Sequence, residues 1–170
     1  MYEFVLTFAL PSPDADPAVY LDALFEQGCD DATVGVGAHG MIALDFSREA
    51  LDATSAMASA IEAVTRAIPG AKLIESKPDL VNLSEIAELV GCTRQNIRKY
   101  AAREVPSVKA RFPDPFVTGS ANLWSFYEVG SWLSRHAAMK LRPEVLEVSR
   151  AAAAINLEVR NQRSKQLLSA

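Results

Sequence analysis

The chain has 170 residues, 49% of them hydrophobic and 22% charged, with a net charge of −4 at pH 7. These are the proportions of a soluble globular protein of one ordinary domain or two small ones. No run of about 18 apolar residues is present, so no transmembrane helix and no membrane partner are expected. Met1-Tyr-Glu-Phe lacks the basic start of a secretory signal, which makes the cytoplasm the expected location. Cys29 and Cys92 stand outside any CxxC pair or Cys/His cluster, so neither a disulfide framework nor a metal site is expected.

The charge is unevenly spread. Residues 1–80 carry 4 basic and 13 acidic side chains, whereas residues 93–111 carry 6 basic ones against the single Glu104. Salt at physiological strength screens charges beyond about 8 Å, so a local basic patch can hold a polyanion on an acidic chain.

In chain order, Tyr2 to Leu10 is rich in aromatic and β-branched residues and predicts a strand. Pro11, Pro13 and Asp14 end it. A helix is expected over Pro17 to Gln27, with Asp16 as N-cap, Leu21, Leu24 and Phe25 as its inner stripe, and Gly28 as its stop. Thr33 to Gly37 and Met41 to Phe46 predict two strands around the turn Ala38-His39-Gly40. Ala50 to Ile68 predicts a long helix, with Met57, Ile61, Val64 and Ile68 at spacings of 4, 3 and 4. Pro69-Gly70 stops it, and Ala71 to Glu75 predicts a last strand.

The order β-α-β-β-α-β over residues 1–79 predicts a ferredoxin-like α+β domain. Asp30, Asp31 and His39 read as a solvated turn rather than a metal site, and Cys29 as a small buried residue. Gly35, Gly37 and Gly40 suit a tight hairpin; no helix follows them directly, as a phosphate loop would require. The acidic balance of this segment disfavours RNA binding through its sheet.

The most informative window is Leu83 to Ala102. It has the pattern of a helix-turn-helix. Ala87 is a small residue for the helix crossing, Gly91 a turn residue, and Ile97 a branched anchor for the second helix. Ile86, Val90 and Tyr100 complete a small core. Asn82 and Glu85 have capping-box spacing, and Thr93 is a good N-cap for the second helix. Arg94, Gln95, Asn96, Arg98 and Lys99 then face outward, with Gln95 suited to adenine and an arginine to guanine. Arg103, Lys109 and Arg111 are expected on phosphates. Beyond Arg103 the prolines at 106, 113 and 115 exclude helix. Phe116-Val117 and Leu123-Trp124 could pair across Thr118 to Asn122 as a small wing. Ser125 and Glu128 form a second capping-box pattern before a helix with Phe126, Val129, Trp132 and Leu133 on one face. His136 is expected at its end, where a cation is favourable.

Taken together, Asn82-Leu-Ser-Glu-Ile-Ala-Glu-Leu-Val-Gly, Thr93-Arg-Gln-Asn-Ile-Arg-Lys-Tyr, Phe112-Pro-Asp-Pro, Leu123-Trp124 and Glu128-Val129-Gly-Ser-Trp132-Leu133 resemble the winged helix-turn-helix of AlpA-type and excisionase-like regulators. These are relatives of the MerR DNA-binding domain. The resemblance covers about residues 81–136 only, within a winged helix-turn-helix domain expected over residues 80–137. It implies that the helix from Thr93 to Ala102 enters the major groove of double-stranded DNA. It also implies that the wing meets flanking phosphates or the minor groove. The first 80 residues have no counterpart in that pattern.

Residues 142–168 predict a helix that, from Pro143 to Gln166, is roughly 36 Å long at about 1.5 Å per residue. Val145, Val148, Ala152, Ile155 and Val159 follow at spacings of 3, 4, 3 and 4, an a/d stripe that predicts a homodimerisation helix. A helix folded back on its own chain is the other reading. No triad, P-loop or paired-carboxylate motif points to catalysis, and no cofactor is expected. The expected function is therefore a sequence-specific DNA-binding protein, a transcriptional regulator working as a dimer. Two alternatives stand beside it: a protein-binding adaptor of a mobile element, and a sensor of small molecules through the N-terminal domain.

Overall fold

A computed structural model describes residues 1–169 and shows an α+β protein with a four-stranded antiparallel sheet, a two-stranded sheet and six α-helices. Its contacts divide it into two units. One comprises Met1–Lys77 and the chain from Ala151 onward, the other Pro78–Arg150.

The first unit is built on β1 (Tyr2–Ala9), β2 (Ala32–Gly35), β3 (Met41–Arg48) and β4 (Lys72–Lys77), in the spatial order β2-β3-β1-β4. Alternation along β1 sends Tyr2, Phe4, Leu6 and Phe8 inward. The antiparallel register sets Phe4 opposite Phe46, Leu6 opposite Leu44 and Phe8 opposite Ile42. The Phe4 and Phe46 rings stack with centroids 5.3 Å apart. Helix α2 (Ala53–Ala67) lies on β1. It buries Ala53, Ala56, Ala60 and Ala63 beside Met57 and Val64; the alanines allow close approach at little loss of side-chain entropy. Its start lies three residues later than the sequence suggests, because Asp52 accepts the Ser55 N–H at 2.7 Å and fixes the N-terminus there.

The segment before β2 departs from the expected stripe. Pro17–Tyr20 winds as a 3₁₀ turn before α1 (Leu21–Glu26). Three residues per turn shift the inward positions. Pro17 and Leu24 are buried and Tyr20 half-buried, while Leu21 and Phe25 face outward. The hairpin turn bears out the need for Gly40. Its φ is +74°, and a Cβ there would stand 2.4 Å from the Pro13 carbonyl oxygen.

The Asp30-Asp31 turn is likewise not wholly solvated. Arg48, at the end of β3, is buried. Its Nε donates to Asp31 Oδ2 at 2.7 Å, and its Nη2 to Asp31 Oδ1 at 2.8 Å and to the Gly28 carbonyl at 2.6 Å. Its Nη1 reaches Ser59 Oγ of α2 at 3.2 Å. This fork ties the chain after α1 to β3 and α2. The bonded Asp31 carboxylate raises the Arg48 pKa further above its ordinary value. Burial pushes the neighbouring Cys29 thiol up as well, which keeps it protonated and unreactive.

The second unit contains β5 (Leu80–Val81), α3 (Leu83–Val90), α4 (Arg94–Ala101), β6 (Trp124–Ser125) and α5 (Phe126–His136). Strand β5 was not foreseen. It pairs with β6, Leu80 opposite Ser125 and Val81 opposite Trp124. Two residues are too few to show a period. The pairing closes the unit by joining the start of α3 to the start of α5. The core gathers Val81, Ile86, Ala87, Ile97, Phe112, Trp124, Phe126, Val129, Trp132 and Leu133.

Helix α6 (Pro143–Leu168) is continuous over 26 residues. Its first turns belong to the second unit, where Leu146 packs against Gly130 of α5; a Cβ at Gly130 would come within 2.6 Å of the Leu146 side chain. From Ala151 it belongs to the first unit. The stripe expected to pair with a second copy is partly covered within one chain. Val148 and Ala152 are already buried, and Val145, Ile155 and Val159 are half-buried. The next position of that side of the helix is Asn156, whose carboxamide bonds to Ser76 of β4. Residues 160–169 are exposed throughout.

Among the described residues, no helix is long and apolar enough to cross a membrane.

Candidate nucleic-acid interface

The candidate interface is built on α3 and α4. Asn82 accepts the N–H groups of Ser84 and Glu85 at 2.8 and 3.1 Å, while Glu85 Oε2 accepts the Asn82 N–H at 2.8 Å, so the capping box expected from the sequence is closed. Gly91 ends α3 with φ +70°. The Cys92 N–H reaches the Ala87 carbonyl at 2.9 Å and the Gly91 N–H that of Glu88 at 3.2 Å. This paired arrangement satisfies the last carbonyls of α3 and reverses the chain within three residues. Thr93 Oγ1 then accepts the Asn96 N–H at 3.2 Å and starts α4.

Only one side of α4 is held. Ile97 is buried, and Tyr100 lies edge-on to Trp132 with centroids 5.8 Å apart. Arg94, Gln95, Arg98 and Lys99 are exposed on the other side. Thr93 and Asn96 are placed differently from the rest of the predicted set. The Thr93 hydroxyl is occupied as a cap, and Asn96 is half-buried beside Cys92, with its backbone N–H bound to that cap.

The end of α4 has an unusual form. Arg103 adopts φ +59°, a left-handed conformation that residues with a Cβ seldom take. Its N–H bonds to the Tyr100 carbonyl at 3.1 Å, and the Glu104 N–H to that of Lys99 at 2.8 Å. This is the same closing pattern as at Gly91, with an arginine in the glycine position. Arg103 joins Lys109 and Arg111 around a cleft of about 230 Å³ floored by Tyr100 and Val108. The three cations expected on phosphates are thus brought to one place, next to the C-terminus of α4.

Two acidic side chains temper this surface. Arg98 Nη2 is 3.9 Å from Glu104 Oε1, and Arg111 pairs with Asp114. All four side chains are more than half exposed, so neither pair holds its arginine strongly.

The segment after the cleft is anchored by aromatics. Phe112 packs edge-on to Trp132 and Trp124, with centroids 5.1 and 6.4 Å away. Trp124 Nε1 donates to the Pro113 carbonyl at 3.1 Å. Both tryptophans are core residues. The hairpin that follows is smaller than the sequence suggests. It consists of a single antiparallel bridge between Val117 and Leu123. The Leu123 carbonyl accepts the N–H groups of Phe116 and Val117 at 2.8 and 3.2 Å, and the Leu123 N–H donates to Val117 at 2.9 Å. Its tip, Gly119 to Asn122, lines a groove of about 590 Å³ together with Arg94 and Ser84. Ser125 caps α5 by accepting the Glu128 N–H at 3.4 Å.

Among the described residues, no three His, Cys, Asp or Glu side chains come together as a metal site would require. No known protein family, curated protein or solved structure matches the chain.

Proposed function

We propose that the protein is a sequence-specific double-stranded DNA-binding protein, acting as a transcriptional regulator, with α4 in the major groove. The single observation that carries this reading is the split character of α4. Ile97 and Tyr100 fix one side, while Arg94, Gln95, Arg98 and Lys99 stand exposed on the other, with Arg103, Lys109 and Arg111 gathered at its end. Side chains of these types match base edges and phosphates. The short turn at Gly91, the bridge at Val117 and Leu123, and the aromatic anchor at Phe112 support a winged helix-turn-helix of the excisionase-like kind. The strand order β2-β3-β1-β4 supports a ferredoxin-like reading of the first unit. One chain carries one recognition helix, so a palindromic site calls for two chains; sedimentation of the chain with and without a bound duplex counts them.

The test is a salt titration of binding to duplexes selected from a random-sequence pool. Phosphate contacts give a steep negative dependence of affinity on salt. Arg94→Ala and Arg98→Ala are each expected to weaken binding by about 1–3 kcal/mol with the fold intact. Selection that enriches no sequence, or a double variant that binds as tightly as the parent, overturns the reading.

A further inference from the structure

The wing is built unlike the rest of the interface. Phe116 is 63% exposed and Val117 43% exposed, although both sit where the backbone is held in place by the bonds to Leu123. Nothing from Pro115 to Tyr127 is charged. A wing without cations cannot grip phosphates by charge, and the exposed phenyl ring gains nothing in the isolated chain. The tip residues share a groove with Arg94, so the wing and the start of α4 address the same face of a ligand.

Resting on the DNA-binding reading above, and on the minor-groove contact of the wing that the resemblance implies, we propose that Phe116 wedges into a base step beside the segment read by α4. Apolar side chains inserted this way unstack a step and bend the duplex. The neighbouring polar side chains fit such a site. Thr118, Ser120 and Asn122 are exposed and can donate hydrogen bonds to the minor-groove acceptors of A·T pairs. Pro113 and Pro115 restrict the chain leading into the ring, which lowers the entropy lost on insertion. Division of labour follows: the cations of α4 and the Arg103 cleft hold phosphates, while the wing reads groove width and deformability. A second copy of the chain is a poorer occupant. Phe116 and Val117 offer far less area than the roughly 800 Å² per partner of a stable protein interface.

The experiment uses the full chain and a duplex selected from a random-sequence pool, with circularly permuted fragments to measure bending and 2-aminopurine scanned along the flank to report unstacking. The parent chain is expected to bend the duplex and brighten 2-aminopurine at one flanking step. Phe116→Ser should bind roughly tenfold more weakly, without the bend or the brightening. Phe116→Leu, which keeps an apolar wedge, should retain part of both. The salt dependence should be unchanged by either substitution, because the ring neutralises no phosphate, whereas Arg94→Ala should flatten it. Binding and bending by Phe116→Ser equal to the parent overturn the inference and leave the DNA reading standing. A Phe116→Ser chain that differs from the parent only in its sedimentation assigns the ring to a protein contact and overturns it too. Absence of any salt-sensitive DNA binding by the parent overturns both.

Discussion

Asn156 bonds to Ser76 as a neighbouring strand would. The Ser76 N–H donates to Asn156 Oδ1 at 2.8 Å, and Asn156 Nδ2 donates back to the Ser76 carbonyl at 2.8 Å. The Ser76 hydroxyl adds a third bond to the same Oδ1 at 3.1 Å. Strand β4 is an edge of the sheet, and an edge offers unpaired backbone groups to any passing strand. Here a helix side chain fills that place, and both residues are buried.

Replacing Asn156 by leucine keeps the bulk and removes the partner. Two buried backbone groups of Ser76 then lose their bonds, at about 1–3 kcal/mol for each group left unsatisfied. Asn156→Leu is expected to lower the urea midpoint of unfolding by an amount corresponding to about 2–4 kcal/mol. A leucine variant as stable as the parent would show that α6 contributes little at this edge.

This contact also shows why part of the structure escaped the sequence. The heptad spacing of Val145, Val148, Ala152 and Ile155 is real, but spacing states only that one side of a helix is apolar. It does not say whether the facing surface belongs to another copy or to the same chain. The informative residue was Asn156, a polar group beside an apolar stripe, and its partner lies 80 positions away. Arg48 and Asp31 escaped for the same reason: a buried fork between distant residues leaves no periodic trace. By contrast, the order of elements in the first unit and the caps at Asn82, Gly91 and Thr93 were legible, because each depends on neighbours within a few residues. The basic side of α4 was legible too, since Ile97 and Tyr100 fix which side faces in. The closing of Arg103, Lys109 and Arg111 around one cleft was not, because it depends on the path of an irregular loop.

Arg48 permits a test of the buried fork. Its planar guanidinium meets both oxygens of Asp31 and the Gly28 carbonyl at once, a geometry that a lysine ammonium cannot reproduce. Breaking a fully buried pair costs about 3–5 kcal/mol. The Asp31 side chain is 28% exposed, so water recovers part of that loss. Arg48→Lys is expected to destabilise the chain by about 2–4 kcal/mol in urea unfolding, with Asp31→Asn in the same direction. Additive effects in the double variant would show that the two side chains do not act as a pair.

Arg103 sits in a conformation that glycine adopts freely. A left-handed backbone costs an L-residue roughly 1–2 kcal/mol, part of which glycine returns through its greater freedom in the unfolded chain. Arg103→Gly is therefore expected to stabilise the fold by about 0.5–1 kcal/mol while weakening DNA binding and reducing its salt dependence by about one phosphate contact. Opposite signs in the two measurements would separate a residue kept for binding from one kept for folding. A variant that is more stable and binds DNA as tightly as the parent would remove the Arg103 cleft from the interface.

Glu104 lies 3.9 Å from Arg98, one of the exposed cations of α4. In the free chain it competes for the guanidinium, and in a complex its charge would face phosphates. The ion pair is exposed on both sides and contributes little to the fold. Glu104→Gln should then leave the unfolding midpoint within about 0.5 kcal/mol of the parent. DNA affinity should rise a few-fold, by about 0.5–1 kcal/mol, because Arg98 no longer has to leave a partner on binding. The gain should shrink as salt is raised, since screening removes the repulsion that the substitution relieves. Tighter binding that persists unchanged at high salt would mean that Glu104 acts through the shape of the α4 terminus rather than through its charge. Weaker binding would mean that the ion pair orients Arg98 for its target, and Arg98→Lys should then lose affinity to a similar degree.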